Sequence, residues 1–386
     1  MITPGVSTLQ HGKSVNFAKN LMARKSVTPD DAGCQKFIAH RLTKMGFHCQ
    51  HFLIHGVSNL IARWGQGAVH TAFCGHTDVV PPGPLSAWRS DPFTPFITNS
   101  VLYGRGAADM KTGIAAMLAA TGRAIEALDA STQSLWWLIT SDEEGEAEHG
   151  TRWIKQYLDE HGVMLDRCLV GEPTASQTTG DTIKVGRRGA LSGTIQVIGK
   201  QGHVAYPHTC DNAIHKASRI CQALTALSWE NGTTDFPGTS LQITHLDTGS
   251  FTDNLVPGRT RIEFNVRYAS PHSKNSIRDL LETCIFQCAP DSRITWSRSC
   301  EAYLSQPHPQ NCFIQTCERA IVANTGRYPV LSTSGGTSDG RFLAGPHTQV
   351  VELGVPNRTI HQVNESVHLS DLLTLEDIYT DILRTL

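Results

Sequence analysis

The stretch that decides the fold is residues 134–145, "SLWWLITSDEEG". Residues 134–140 form a largely apolar run with the length and composition of a buried strand. Asp142, Glu143 and Glu144 follow it almost at once, placing like charges side by side. Taken alone, that acidic run reads as a solvated turn. The neighbouring segments argue against so plain a reading.

Outward from this stretch, "VHTAFC" (69–74) and "RCLV" (167–170) also read as buried strands, and "KTGIAAMLAATGRAIEAL" (111–128) reads as a helix of small and apolar residues. Strands alternating with helices predict an α/β sheet with both faces covered. After Gly189 the texture changes to alternating strands at 190–201, 240–249, 259–268 and 292–300, with helical segments near 212–227 and 273–289. This is an α+β pattern with one wet sheet face. From about residue 305 the buried texture returns, with "QVVELG" (349–354) as a strand and residues 369–386 as an amphipathic closing helix. The simplest organisation is one α/β domain, residues 1–188 and 305–386, interrupted by a smaller inserted domain, 189–304.

A chain of 386 residues is long enough for two domains with real cores. Hydrophobic residues at 40% and charged residues at 18% describe an ordinary globular protein. A net charge of −2 gives no footprint for nucleic acid. Apolar stretches such as 114–120 fall far short of the ~20 residues that span a bilayer. Residues 1–15 lack a basic segment followed by an apolar one, so no secretory signal is expected. The eleven cysteines include no CxxC pair, which fits a reducing compartment, and a cytoplasmic location is expected. Cys284 and Cys288, spaced i,i+4, read as helix packing.

In open α/β sheets, ligands gather beyond the carboxyl ends of the strands. His76 and Asp78 follow the first strand, Glu143 and Glu144 the second, and Glu172 the third. Asp109 stands at the entrance of the helix, and His361 lies in the returning segment "NRTIHQVNE". Imidazoles mixed with carboxylates suit zinc or a similar divalent ion. Each residue alone has a bland reading. His245 and Asp247 repeat the spacing of His76 and Asp78 with nothing else to support a site, and Asp109 alone reads as a helix N-cap. "GRGAAD" (104–109) lacks the third glycine of a dinucleotide loop and no strand runs directly into it. The joint placement at strand ends is what points to a metal.

These motifs resemble those of the co-catalytic dizinc aminoacylase/carboxypeptidase superfamily. The matching stretches are "SVTPDDAGCQ" (26–35), "GHTDVVPPG" (75–83), "LYGRGAADMKTG" (102–113), "TSDEEG" (140–145), "VGEPT" (170–174), "GDTIKVGRRG" (180–189), "GKQGHVAYPH" (199–208), "NLVPG" (254–258), "SGGTSDGRF" (334–342) and "TIHQVNE" (359–365). The first, the "GRRG" and the "SGGTSDGRF" are narrower, and imply the branch that removes a succinyl group from a diamino diacid. The resemblance implies an α/β catalytic domain, a mixed sheet covered by helices, with an inserted α+β two-layer domain that pairs two subunits.

Residue by residue, it implies two Zn2+ per subunit, with Co2+ as a substitute. His76 and Glu172 would hold one ion and Glu144 and His361 the other, with Asp109 bridging. Asp78 would orient His76 and Glu143 would be the general base, the two neighbouring glutamates pointing apart from an extended loop. A cis peptide between Asp109 and Met110 is implied as well. His203 would reach across the subunit interface to the oxyanion. Arg187, Arg267, Asn254, Tyr206, Gly336, Thr337 and Asn357 would bind substrate. The implied reaction is hydrolysis of N-succinyl-LL-2,6-diaminopimelate to succinate and LL-2,6-diaminopimelate, in bacterial lysine and cell-wall precursor synthesis. A deacetylase acting on another N-acyl amino acid such as acetylornithine would carry nearly the same zinc motifs. A catalytically silent metal- or amino-acid-binding relative would not need Glu143. The chain departs from the pattern at Ala190, where the resemblance leads one to expect serine, and residues 1–15 match poorly and receive no role.

Overall fold

The computed structural model describes residues 12–249, 252–305 and 312–386. Most of residues 1–15, which carry no assigned role, thus lie outside it. The chain divides into two compact units. The first takes the chain up to Val185, Ser305–Ser332 and Ser338–Leu386; the second is Gly186–Leu304 with Thr333–Thr337.

The first unit is built on an eight-stranded mixed sheet. Its centre is four neighbouring parallel strands, Gln133–Thr140, Val69–His76, Arg167–Val170 and Gln349–Glu352. Their side chains are nearly all buried, as the unbroken apolar runs require of strands covered on both faces. Val57–Trp64 flanks them antiparallel and pairs in turn with the edge strand His48–Ile54. On the other side come Thr182–Lys184 and Val330–Ser332. Because the four central strands run the same way, the residues after His76, Thr140, Val170 and Glu352 emerge at one edge.

The helix Lys111–Ala124 is buried on almost every side. It packs against the helices Lys13–Met22 and Leu369–Arg384. Its first residue, Lys111, is fully buried, and its Nζ donates to the carbonyls of Leu21 (3.0 Å) and Arg24 (2.9 Å). These belong to the end of the Lys13–Met22 helix and the turn after it, where carbonyls lack intrahelical partners and the helix dipole favours a cation.

The second unit has a four-stranded antiparallel sheet in the order Ser240–Asp247, Arg259–Tyr268, Gly189–Ile198, Arg293–Cys300. Burial alternates strictly along Arg259–Tyr268, the signature of one packed and one exposed face. Helices Ala213–Thr225 and Lys274–Cys288 share the unit's core with strand residues such as Ile195, Phe264 and Val266, and Cys284 and Cys288 pack against it. Gly186–Arg187 pairs with Tyr303–Leu304, so the unit begins three residues before the boundary expected at Gly189. Thr333–Thr337 joins it through hydrogen bonds from Arg187 Nη1 to Ser334 O and from the Thr333 hydroxyl to Asp235 O. Gly336 and Thr337 therefore belong to this unit rather than to the α/β part. Among the described residues, no helix is long and apolar enough to cross a membrane.

Candidate metal centre

His76 ends the strand Val69–His76, and Glu172 follows Arg167–Val170 by two residues. Each is preceded by a glycine, and the reason is steric. A Cβ on Gly75 would sit 2.6 Å from Met110 Cε, and one on Gly171 would sit 2.8 Å from the same atom. Met110 thus lies against both strand ends, fully buried, and its Sδ accepts the His76 amide at 3.3 Å. That contact delivers the preceding residue, Asp109, to the ligand edge through an Asp109–Met110 peptide that is cis, as the resemblance implies. Gly113, one turn into the helix, permits the same approach, since a Cβ there would meet the Gly171 carbonyl oxygen at 2.3 Å.

Side-chain donor atoms of His76, Asp109 and Glu172 lie within 4.8 Å of one another, as do those of Asp109, Glu144 and His361. Asp109 is common to both groups. His76 Nε2 is 3.1 Å from Asp109 Oδ1 and 3.5 Å from Glu172 Oε1, and His361 Nε2 is 3.1 Å from Glu144 Oε1. The first group is buried, while His361 is half exposed.

Asp78 meets His76 through both its backbone and its side chain. The nearer partner of His76 Nδ1 is the Asp78 backbone oxygen, at 2.9 Å, with the carboxylate at 3.5 Å. The Asp78 carboxylate also accepts the amides of Glu143 (3.4 Å) and Glu144 (3.1 Å). Two successive amides can converge on one carboxylate only if the chain turns, and residues 143–146 form a turn rather than the extended loop expected. Asp142 takes the amides of Glu148 and His149 in the same manner, at 3.0 and 3.1 Å. Backbone amides thus meet the carboxylates of Asp142, which opens the acidic run, and of Asp78, which faces it.

The electrostatics call for cations. Asp78, Asp109, Glu143, Glu144 and Glu172 crowd around His76 and His361, an excess of carboxylates over imidazoles. Burial, and then the charge of Glu172, push the Glu143 carboxyl well above its ordinary range. Burial and the neighbouring Asp109 raise Glu172 to about 7. Burial would lower His76, but its contacts with the carboxylates of Asp109, Asp78 and Glu172 together raise it. Contacts with Asp109 and Glu144 hold His361 up at about 10. Glu172 Oε1 is buried and accepts no hydrogen bond. A buried carboxylate oxygen without a donor is costly unless a cation meets it, and imidazole with carboxylate is a donor set that divalent zinc or cobalt accepts. The residues present fit two such ions.

Sequence reasoning gave no position to several groups that shape the site. "SVTPDDAGCQ" (26–35) straps the turn bearing His76 and Asp78 from behind. The Thr77 hydroxyl donates to Asp31 Oδ1 (2.7 Å), the Ser26 hydroxyl donates to Thr77 O (2.6 Å), and the Val79 amide donates to Ser26 O (2.8 Å). Glu352, at the end of the fourth parallel strand, is buried and accepts a hydrogen bond from the Ser338 hydroxyl. The strand-end rule that found Glu172 applies to it equally.

Of the expected substrate residues, Asn357 is in the first unit, its amide donating to Ala175 O at 2.9 Å. The others lie in the second unit. Arg187 is buried, Arg267 Nε donates to Asn265 Oδ1 (2.9 Å), and the Asn254 carbonyl accepts the Val204 amide (3.0 Å). His203 and Tyr206 are exposed. The Ala205 amide donates to His203 Nδ1 at 3.1 Å. His245 is exposed on a strand and joins no group of metal donors among the described residues.

A profile of peptidase family M20/M25/M40 matches residues 72–385. The chain is 63% identical, over its full length and 99% of the relative's, to succinyl-diaminopimelate desuccinylase 1 of Alteromonas mediterranea. It is 48% identical to succinyl-diaminopimelate desuccinylase 2 of Shewanella loihica over 96% of this chain and 99% of that one. Among solved structures it resembles an M20 family metallo-carboxypeptidase of Sulfolobus solfataricus, with a TM-score of 0.81 and 14% identity over 96% of this chain and 98% of that one. The two donor triads sharing Asp109, the shared fold and the full-length matches lead to one conclusion: this chain belongs to peptidase family M20/M25/M40.

Proposed function

We propose that the chain is a metal-dependent amide hydrolase that cleaves N-succinyl-LL-2,6-diaminopimelate to succinate and LL-2,6-diaminopimelate in the cytoplasm, in bacterial lysine and cell-wall precursor synthesis. The observation that carries the chemistry is the pair of donor groups sharing Asp109, with Glu143 beside them and outside both. The desuccinylase relatives, similar over the whole chain, support the substrate.

His76, Asp109 and Glu172 would hold one ion and Asp109, Glu144 and His361 a second, with zinc as the resident metal and cobalt as a substitute. When bound, such ions supply Lewis-acid polarisation of the amide carbonyl and lower the pKa of water towards ~7. Glu143 removes a proton from the attacking water and holds it on its carboxylate. As the water oxygen bonds to the carbonyl carbon and the C–N bond breaks, Glu143 passes that proton to the leaving nitrogen. The Asp78 backbone oxygen, accepting from His76 Nδ1, leaves Nε2 as the free ligand atom.

The substrate carries three carboxylates, which favour guanidinium and amide donors. Arg187, Arg267, Asn254, Tyr206, Gly336, Thr337 and Asn357 fill that role in this reading. His203 donates to the carbonyl oxygen as negative charge develops, in the site of a second subunit, the two subunits pairing through residues 189–304. Because its Nδ1 accepts the Ala205 amide, the proton of the neutral ring resides on Nε2, the tautomer a donor requires. The test is hydrolysis of N-succinyl-LL-2,6-diaminopimelate by the purified chain. Turnover is expected with zinc, lost on chelation and restored on re-addition. Turnover that survives complete metal removal contradicts the proposal.

A further inference from the structure

The loop 104–109, "GRGAAD", turns its backbone N–H groups inward as a phosphate-binding loop does, and a carboxylate of this chain fills it. Glu365 Oε1 accepts the amides of Ala108 (2.7 Å) and Asp109 (3.0 Å). Its Oε2 accepts the amide of Gly106 (2.9 Å) and Arg105 Nη1 (2.8 Å). The Glu365 main-chain oxygen accepts the Gly104 amide at 3.0 Å, and the residue is 1% exposed. Gly106, at φ +81°, supplies the left-handed step that lets successive amides converge on one anion.

The same residue ends the loop that carries His361. His361 and Asn364 both have φ of 60°, uncommon for residues other than glycine, so this segment is held by its surroundings rather than by regular structure. Arg105 spans the two loops a second time, its Nη1 reaching Gln362 O at 3.3 Å. One buried carboxylate therefore ties the loop ending in Asp109 to the loop bearing His361.

We infer that Glu365 is a positioning residue for the Asp109–Glu144–His361 site, an inference that rests on the two-metal reading above. Each of the four groups that hydrogen-bond the Glu365 carboxylate is a donor, so a full carboxylate satisfies them best. A glutamine amide would place an NH2 against two donors and remove the charge that strengthens the contact with Arg105. The damage falls unevenly. His76 and Glu172 are fixed by neighbouring strands, and Asp109 keeps its Met110 anchor against Gly75 and Gly171. His361 sits on irregular backbone four residues from Glu365. The second site loses the relation between two of its three donors, while the first loses only a fraction of the hold on Asp109.

The test is a zinc titration of metal-free wild type and Glu365→Gln in competition with a chromogenic chelator, with cobalt absorption spectra recorded per equivalent. Wild type is expected to take two equivalents. Glu365→Gln should bind the first within about threefold of wild type and the second about 10–100-fold more weakly, as loss of a group that orients metal ligands commonly does. Only the spectrum of the second cobalt equivalent should change. Glu365→Asp keeps the charge but withdraws it by one methylene, and should fall between the two; it carries the comparison if thermal melts show that the glutamine variant does not fold. An unchanged second equivalent overturns the inference, and so does equal weakening of both equivalents. A wild type that takes no second equivalent overturns the two-metal reading itself, and this inference with it.

Discussion

Glu143 and Glu144 are covalent neighbours with the same functional group, and their partners tell them apart. Glu144 meets His361 and belongs to a donor triad, whereas Glu143 belongs to neither triad and is pushed towards its protonated form by burial and by Glu172. Substitution should separate the two roles. Glu143→Ala should retain close to two metal ions and lose turnover by about 10²–10⁴, because the proton shuttle alone is removed. Glu144→Ala should lose one ion, because a ligand is gone. Elemental analysis beside an activity assay checks both, and equal metal loss in the two variants would show the roles misassigned. At this scale the sequence was informative wherever a candidate ligand stands at or a few residues beyond the end of a buried strand, as His76, Glu144 and Glu172 do. Glu365 gave no such signal, because its partners are backbone amides and an arginine more than 250 positions earlier in the chain. No residue type announces a backbone amide that points inward.

Between elements, the centre depends on how closely the helix Lys111–Ala124 approaches the end of Arg167–Val170. Gly113 offers a test of sign. In an open helix interior, Gly→Ala stabilises by roughly 0.5–1 kcal/mol. Here the added Cβ would lie 2.3 Å from the Gly171 carbonyl oxygen, a backbone atom that cannot rotate away. Overpacking of this kind typically costs about 1–3 kcal/mol, so packing outweighs propensity. Gly113→Ala should lower the melting temperature by several degrees and reduce bound metal, because it pushes apart the elements carrying Asp109 and Glu172. A raised melting temperature with full metal content would contradict the packing account.

The strands at 69–76, 133–140, 167–170 and 259–268 were legible because period and apolar content agree along each. His48–Ile54 was not, since an edge strand written "HCQHFLI" is too polar to stand out from a loop. The strap at 26–35 was visible as a motif, but its work is done by hydroxyls of Ser26 and Thr77 that any surface turn could carry.

For the molecule as a whole, the proposal joins two units, and in the proposed dimer two subunits, in one reaction. His203 stands on the exposed strand Gly202–His203 of the second unit. Loss of one oxyanion donor typically costs ~10²–10³ in turnover, so His203→Ala should be severely impaired while keeping its metal. Pairing a His203→Ala subunit with a Glu143→Ala subunit then tests the crossing. If His203 serves the partner, one site of the heterodimer regains both groups and about half of wild-type activity returns per dimer, by counting one intact site in two. If it serves its own subunit, both sites stay defective.

The central claim, that this fold and metal centre remove a succinyl group from a diamino diacid, is tested most directly by substrate discrimination. The zinc-loaded chain should be assayed side by side on N-succinyl-LL-2,6-diaminopimelate and N-acetylornithine. N-acetylornithine lacks two of the three carboxylates, and a hydrogen bond to a charged group is worth about 1.5–3 kcal/mol. The account therefore predicts a kcat/KM at least about 10²-fold higher for the succinylated substrate. Equal values, or a preference for acetylornithine, would contradict it.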